Sequence, residues 1–152
     1  MSADRVRVEL ECFGNNDVVI HFGSGVLPDV VLAKSKFPQE KLGGEARALL
    51  AASVAECMTS WLTYLLNKAR VKTSSLKASA EAVTGLDENE QNIIKEVNVK
   101  IDAKIEGGSG SYQRFERIRN LLLRQGCLIS RSLEKGIKAS FSIECMRSGG
   151  NK

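Results

Sequence analysis

Apolar and polar residues change period several times along this chain, and each change predicts an element. In "RVRVELECF" Val6, Val8, Leu10 and Cys12 alternate with polar neighbours, the pattern of a half-buried strand. Gly14, Asn15 and Asn16 then predict a turn, and "DVVIHFG" predicts a second strand. A third is expected from Val30 to Phe37, so the N-terminal strands, 5–37, read as an antiparallel meander. Pro38, Gly43 and Gly44 punctuate a loop, after which the period becomes helical over 45–68. Ser53, Glu56, Ser60, Thr63 and Asn67 recur at steps of three and four, drawing one polar stripe down an otherwise apolar helix. That apolar arc is long enough for a membrane span. It is read instead as the axis of a soluble core, buried on most sides, because one isolated span would leave both β-rich ends unexplained.

Period two returns over 74–106, where Val97, Val99, Ile101, Ala103 and Ile105 alternate with Asn98, Lys100, Asp102 and Lys104. "GGSGS", 107–111, reads as a flexible joint. Helices are expected over 112–135, broken at Gly126, the first with Phe115, Ile118, Leu121 and Leu122 on one side. "IKASFSIEC", 137–145, predicts a last strand before a frayed tail. Strands and helices in this order give an α+β fold with antiparallel strands, a single domain over 1–152.

Composition narrows the chemistry. A net charge of +4 does not demand nucleic acid, and Arg114, Arg117, Arg119 and Arg124 read as a solvated helix face. The N-terminus has no apolar leader, so a cytoplasmic location with reduced thiols is the default expectation. Of the four cysteines, Cys12, Cys57, Cys127 and Cys145, no two have metal-site spacing. The single histidine, His21, excludes a multi-histidine metal site within one chain. Cys12 and Cys145 sit in alternating segments and are expected to pack as small hydrophobes. Trp61 and Tyr64 are expected in the core. Cys57 lies mid-helix beside Glu56, and Cys127 follows Gly126 at a helix start, where free backbone N–H groups favour thiolate. Brought together by packing, two such thiols could alternate between dithiol and disulfide.

The two cysteine segments carry a resemblance. "LGGEARALLAASVAEC" resembles a Gly-Gly loop followed by a leucine- and alanine-rich helix that ends in cysteine. "QGCLISRSLEKGIKASFSIE" is similar to a second signature, a cysteine opening a short helix that leads to a strand. Together, in this order, they resemble the OsmC (osmotically inducible protein C) and organic hydroperoxide resistance family, over nearly the whole chain. The resemblance implies an intertwined homodimer, with antiparallel sheets wrapped around long central helices. It implies a thiol peroxidase acting on organic hydroperoxides, with Cys57 peroxidatic and Cys127 resolving, without cofactor or metal. An external dithiol, in this family typically on a lipoylated protein, would reduce the disulfide; neither membrane nor nucleic acid is an expected partner. Departures accompany it. The family's upstream "P-E-x-L" glutamate is absent, and Arg47 and Ala48 occupy those positions. Glu45 and Arg47 stand at the helix start instead, and Glu56 sits beside Cys57 as a modulator where a small residue is usual. Leu128 replaces a proline, and the family's supporting arginine has only Arg5 and Arg7 as candidates. The alternative reading is a divergent member with little peroxidase activity that binds a small apolar ligand in the dimer cleft.

Overall fold

The computed structural model describes residues 5–145. The chain forms two compact units, one up to Leu50 and one from Ala51. In the first unit, strands β1 (Glu9–Cys12), β2 (Val18–His21) and β3 (Val30–Leu32) form an antiparallel sheet in the order β1-β2-β3. The β1–β2 turn is the expected one, closed by the Asn16 N–H to the Phe13 carbonyl at 2.9 Å. Asn16 takes the left-handed conformation, φ 69°, which asparagine tolerates. The third strand is shorter than its apolar run: a 3₁₀ turn, Lys34–Lys36, begins after Leu32. Asp17 explains the stop, because its carboxylate accepts the Ser35 N–H at 2.8 Å and the Ser35 hydroxyl at 3.0 Å. Those bonds hold Asp17 below the usual carboxylate pKa.

Helix α1 spans Glu45–Lys68, the bounds read from the sequence. By length and composition it could cross a bilayer. Its stripe of Ser53, Glu56, Ser60, Thr63 and Asn67 is exposed, while Val54, Leu62 and Leu66 are buried. In the second unit, β4 (Thr73–Leu86) and β5 (Asn92–Ile105) make a long antiparallel hairpin. Asp87 shapes its turn, accepting the N–H groups of Asn89 and Gln91 at 2.8 Å each. Helix α2 covers Ser109–Gln125 and α3 Leu128–Glu134. The second unit's core cluster joins Leu62 and Leu66 of α1 to Val71 and to Leu122 of α2. Ile101 and Ile105, from the inward register of β5, close it, together with Phe115 and Ile118. Each buried aliphatic side chain there is worth roughly 1.5–3 kcal/mol.

Two expectations change. The glycine-rich stretch is not a joint: Gly107, at φ 103°, makes the bend, Gly108 caps α2, and the helix already runs from Ser109. The segment 137–145 has the alternation of a strand, yet no strand in this chain pairs with it among the described residues. Ile137, Phe141 and Ile143 stand exposed, the last two at 88% and 95%. Alternation marks a segment suited to a sheet, but a strand forms only where an edge offers hydrogen bonds.

Candidate functional site

The site grows from the junction of α2 and α3. Gly126 donates its N–H to the Leu122 carbonyl at 2.8 Å and ends α2. Its backbone lies at φ 63°, ψ −173°, a region essentially reserved for glycine. The chain reverses there, and Cys127 becomes the cap of α3. The Cys127 sulfur accepts the Ser130 N–H at 3.4 Å, and the Ser130 hydroxyl accepts the Cys127 N–H at 2.9 Å, a reciprocal capping box. Cysteine thus occupies a position where serine or aspartate is commonest. Cys127 is 2% exposed, the most buried cysteine of the chain.

Cys57, half-buried at mid-α1, meets it. The two thiols, seventy residues apart in sequence, come together at one pocket and are not joined by a disulfide. The N–H groups of Leu128 and Ile129 also face the Cys57 sulfur. The pair is asymmetric. Burial pushes the Cys57 thiol up and the nearness of Cys127 adds to that, against the pull of the Ile129 and Leu128 N–H groups, and its pKa lies above the ordinary thiol value. Burial also pushes Cys127 up, but the Ser130 N–H, the Cys57 thiol, the Ser130 hydroxyl and the Ile129 N–H outweigh it, and its pKa falls below the ordinary thiol value.

A pocket of about 450 Å³ opens over the two sulfurs, walled by Glu56, Ser60, Trp61, Tyr64, Leu128 and Arg131. Glu56 runs along the stripe: its carboxylate accepts the hydroxyl of Ser60, one turn on. Trp61 and Tyr64 are not core residues. They stack with ring centroids 5.2 Å apart and planes at 8°, and they stand 40% and 53% exposed. Helical spacing marked them as apolar-arc positions; it carried no information on whether another element of the chain covers that arc. Arg131 holds the turn, donating to the carbonyls of Gln125 at 3.4 Å and Gly126 at 3.3 Å. Its position one turn after Cys127 was the signal that could have marked it as a pocket residue.

The remaining candidates make contacts of their own. Glu45 accepts the Gly43 N–H at 3.0 Å and Arg47 donates to the Gly43 carbonyl at 2.8 Å, so both are engaged at the turn that starts α1. Arg7 pairs with Glu9 at 3.1 Å on the exposed face of β1. Cys12 and Cys145 are exposed, contrary to the packing role their alternation suggested. All of β1 is exposed, and the segment carrying Cys145 is unpaired. His21 pairs with Asp29 at 2.7 Å.

An α+β chain whose long helix and helix-capping turn bring two cysteines together belongs to a recognisable class. The family model described as OsmC-like protein matches residues 39–142, well over half of the sequence, and the chain belongs to this family. Solved structures agree on the fold. An OsmC-like protein of unknown function from Vibrio cholerae superposes with a TM-score of 0.64 at 17% identity, covering 88% of this chain and 95% of that one. An OsmC-like protein from Mycoplasma pneumoniae gives 0.63 at 10% identity, covering 88% and 89%. A putative osmotic stress induced and detoxification response protein from Psychrobacter arcticus gives 0.59 at 17%, covering 87% and 90%. No curated protein matches the sequence.

Proposed function

We propose that this protein is a thiol peroxidase for organic hydroperoxides, with Cys57 as the attacking sulfur and Cys127 as the resolving one. The observation that carries this reading is the contact between two free thiols from distant parts of the chain, beneath an open, partly aromatic pocket. Cys57 is the more exposed sulfur and can meet a peroxide; Cys127 is buried at its side, placed to resolve a sulfenic acid. Trp61, Tyr64 and Leu128 offer apolar surface to the organic group. An external dithiol returns the disulfide to thiols, and nothing in the cycle calls for a metal or cofactor. The exposed strand-patterned segment 137–145 supports assembly as a homodimer, in which a second copy supplies the missing edge. Light scattering at micromolar concentration tests that part. The activity is tested by following cumene hydroperoxide consumption with a dithiol reductant. Wild type should turn over and Cys57→Ser should be inert; equal rates would refute the assignment.

A second reading is supported by a separate apolar cavity of about 230 Å³ between α1, β5 and α2, lined by Met58, Val99, Phe115 and Leu123 with Arg119 at its rim. It would hold a small apolar ligand without thiol consumption. Thermal stabilisation by such a ligand, undiminished in Cys57→Ser, would favour it.

A further inference from the structure

Two large aromatic rings stand open to solvent beside the pair of thiols, and neither the core of the second unit nor the capping turn uses them. Trp61 and Tyr64 are 40% and 53% exposed and lie outside the cluster of Leu62, Leu66, Val71 and Leu122. They line the same pocket as Cys57 and Cys127. We propose that this stacked pair is a platform for the aromatic ring of the substrate, and that Trp61 biases the site toward neutral aryl hydroperoxides over saturated ones of the same shape. The inference rests on the peroxidase reading above and deepens it by naming the substrate class.

The placement follows from helix geometry. Trp61 comes four residues after Cys57 and Tyr64 three after Trp61, so the three share one face of α1. Helical side chains lean toward the N-terminus, which carries the indole over the turn that holds Cys57. Tyr64 backs it. The ring centroids lie 5.2 Å apart with planes 8° from parallel, the spacing of a stacked aromatic pair. Each ring fixes the other, so the platform is formed before a ligand arrives and little side-chain freedom is lost on binding. The pocket, about 450 Å³, has the size of a small-molecule site. Its charged walls are one carboxylate, Glu56, and one guanidinium, Arg131, of opposite sign. No net charge there favours an ionised substrate, and a neutral aryl group suits that balance. Ring stacking adds to simple area burial, so an aryl group gains on this platform what a saturated ring of similar size does not.

The test compares cumene hydroperoxide with its saturated counterpart, 2-cyclohexyl-2-propyl hydroperoxide, under a dithiol reductant. The ratio of kcat/KM, aryl over cyclohexyl, is measured in wild type, Trp61→Leu and Trp61→Phe. Comparing ratios between proteins cancels the intrinsic reactivity and hydrophobicity of the two substrates, and a folding defect would strike both alike. Trp61→Leu should lower the ratio about two- to tenfold, the range expected of one aromatic stack, and Trp61→Phe should retain most of it. An unchanged ratio in Trp61→Leu would overturn the proposal.

A second readout needs no turnover. Trp61 is the only tryptophan of the chain, so its fluorescence reports this site alone. In Cys57→Ser, 2-phenyl-2-propanol, the alcohol that cumene hydroperoxide leaves, should change Trp61 emission saturably. By ligand-observed NMR, the ratio of its affinity to that of 2-cyclohexyl-2-propanol should fall about two- to tenfold when Trp61→Leu is added. No saturable change in emission, or an unchanged affinity ratio, would likewise overturn the proposal. Wild type inert to both hydroperoxides refutes the peroxidase reading alone, and the alcohol-binding measurements then decide whether the platform selects aryl groups.

Discussion

Replacing Gly126 by alanine should damage the thiol pair through the backbone alone. At φ 63° and ψ −173° an L side chain costs about 1–3 kcal/mol. The added Cβ would also lie 2.5 Å from the Ser130 hydroxyl oxygen. That hydroxyl must rotate away and give up the 2.9 Å bond from the Cys127 N–H, a capping interaction worth about 1 kcal/mol. The two contributions sum to about 2–4 kcal/mol of lost stability. For a chain of this size that corresponds to a fall in Tm of roughly 4–16 °C. Urea and thermal unfolding followed by circular dichroism read the loss directly. A double-mutant cycle isolates the second part. In a Ser130→Ala background the alanine at 126 meets no hydroxyl, so its added cost should drop by about 1 kcal/mol. A loss below about 0.5 kcal/mol for Gly126→Ala, or strict additivity in the cycle, would refute the account of this turn.

Three further outcomes are expected. Ser130→Ala removes a hydroxyl that lowers the Cys127 pKa, so the titration of Cys127, read by thiolate absorbance in a Cys57→Ser background, should move to higher pH. Leu66→Ala empties a site only 2% exposed, within the cluster of Leu62, Val71 and Leu122, and should cost about 2–5 kcal/mol in urea unfolding. His21 has its pKa raised, first by its hydrogen bond to Asp29, against a smaller opposing effect of burial. Its stabilising contribution is complete below the unfolded value of about 6.5 and is lost as pH rises through the folded pKa. In Asp29→Asn the proton NMR titration of this single histidine should shift to lower pH.

Helix α1 and the β4–β5 hairpin were legible in the sequence because their periods are long and uninterrupted. The polar stripe from Ser53 to Asn67 marks the exposed side of α1, and the alternation from Val97 to Ile105 marks the inward side of β5. The cap at Cys127 was legible from Gly126 before it. Periodicity, however, reports which residues share a face and not what covers that face. This is why Trp61 and Tyr64 were expected in the core, and why the segment from Ile137 to Cys145 reads as a strand that finds no edge. The asymmetry of the thiols could not be read from residue types. It depends on where the N–H groups of Leu128, Ile129 and Ser130 point, which is set by one glycine's conformation. The engagement of Glu45 and Arg47 with the Gly43 turn is equally a matter of side-chain direction.

The most direct test of the central claim is non-reducing peptide mapping after reduced protein meets one equivalent of cumene hydroperoxide. The account predicts a single new linkage between the peptides carrying Cys57 and Cys127, formed without participation of Cys12 or Cys145. Persistence of free thiol at both positions, or linkage through either exposed cysteine instead, would contradict it.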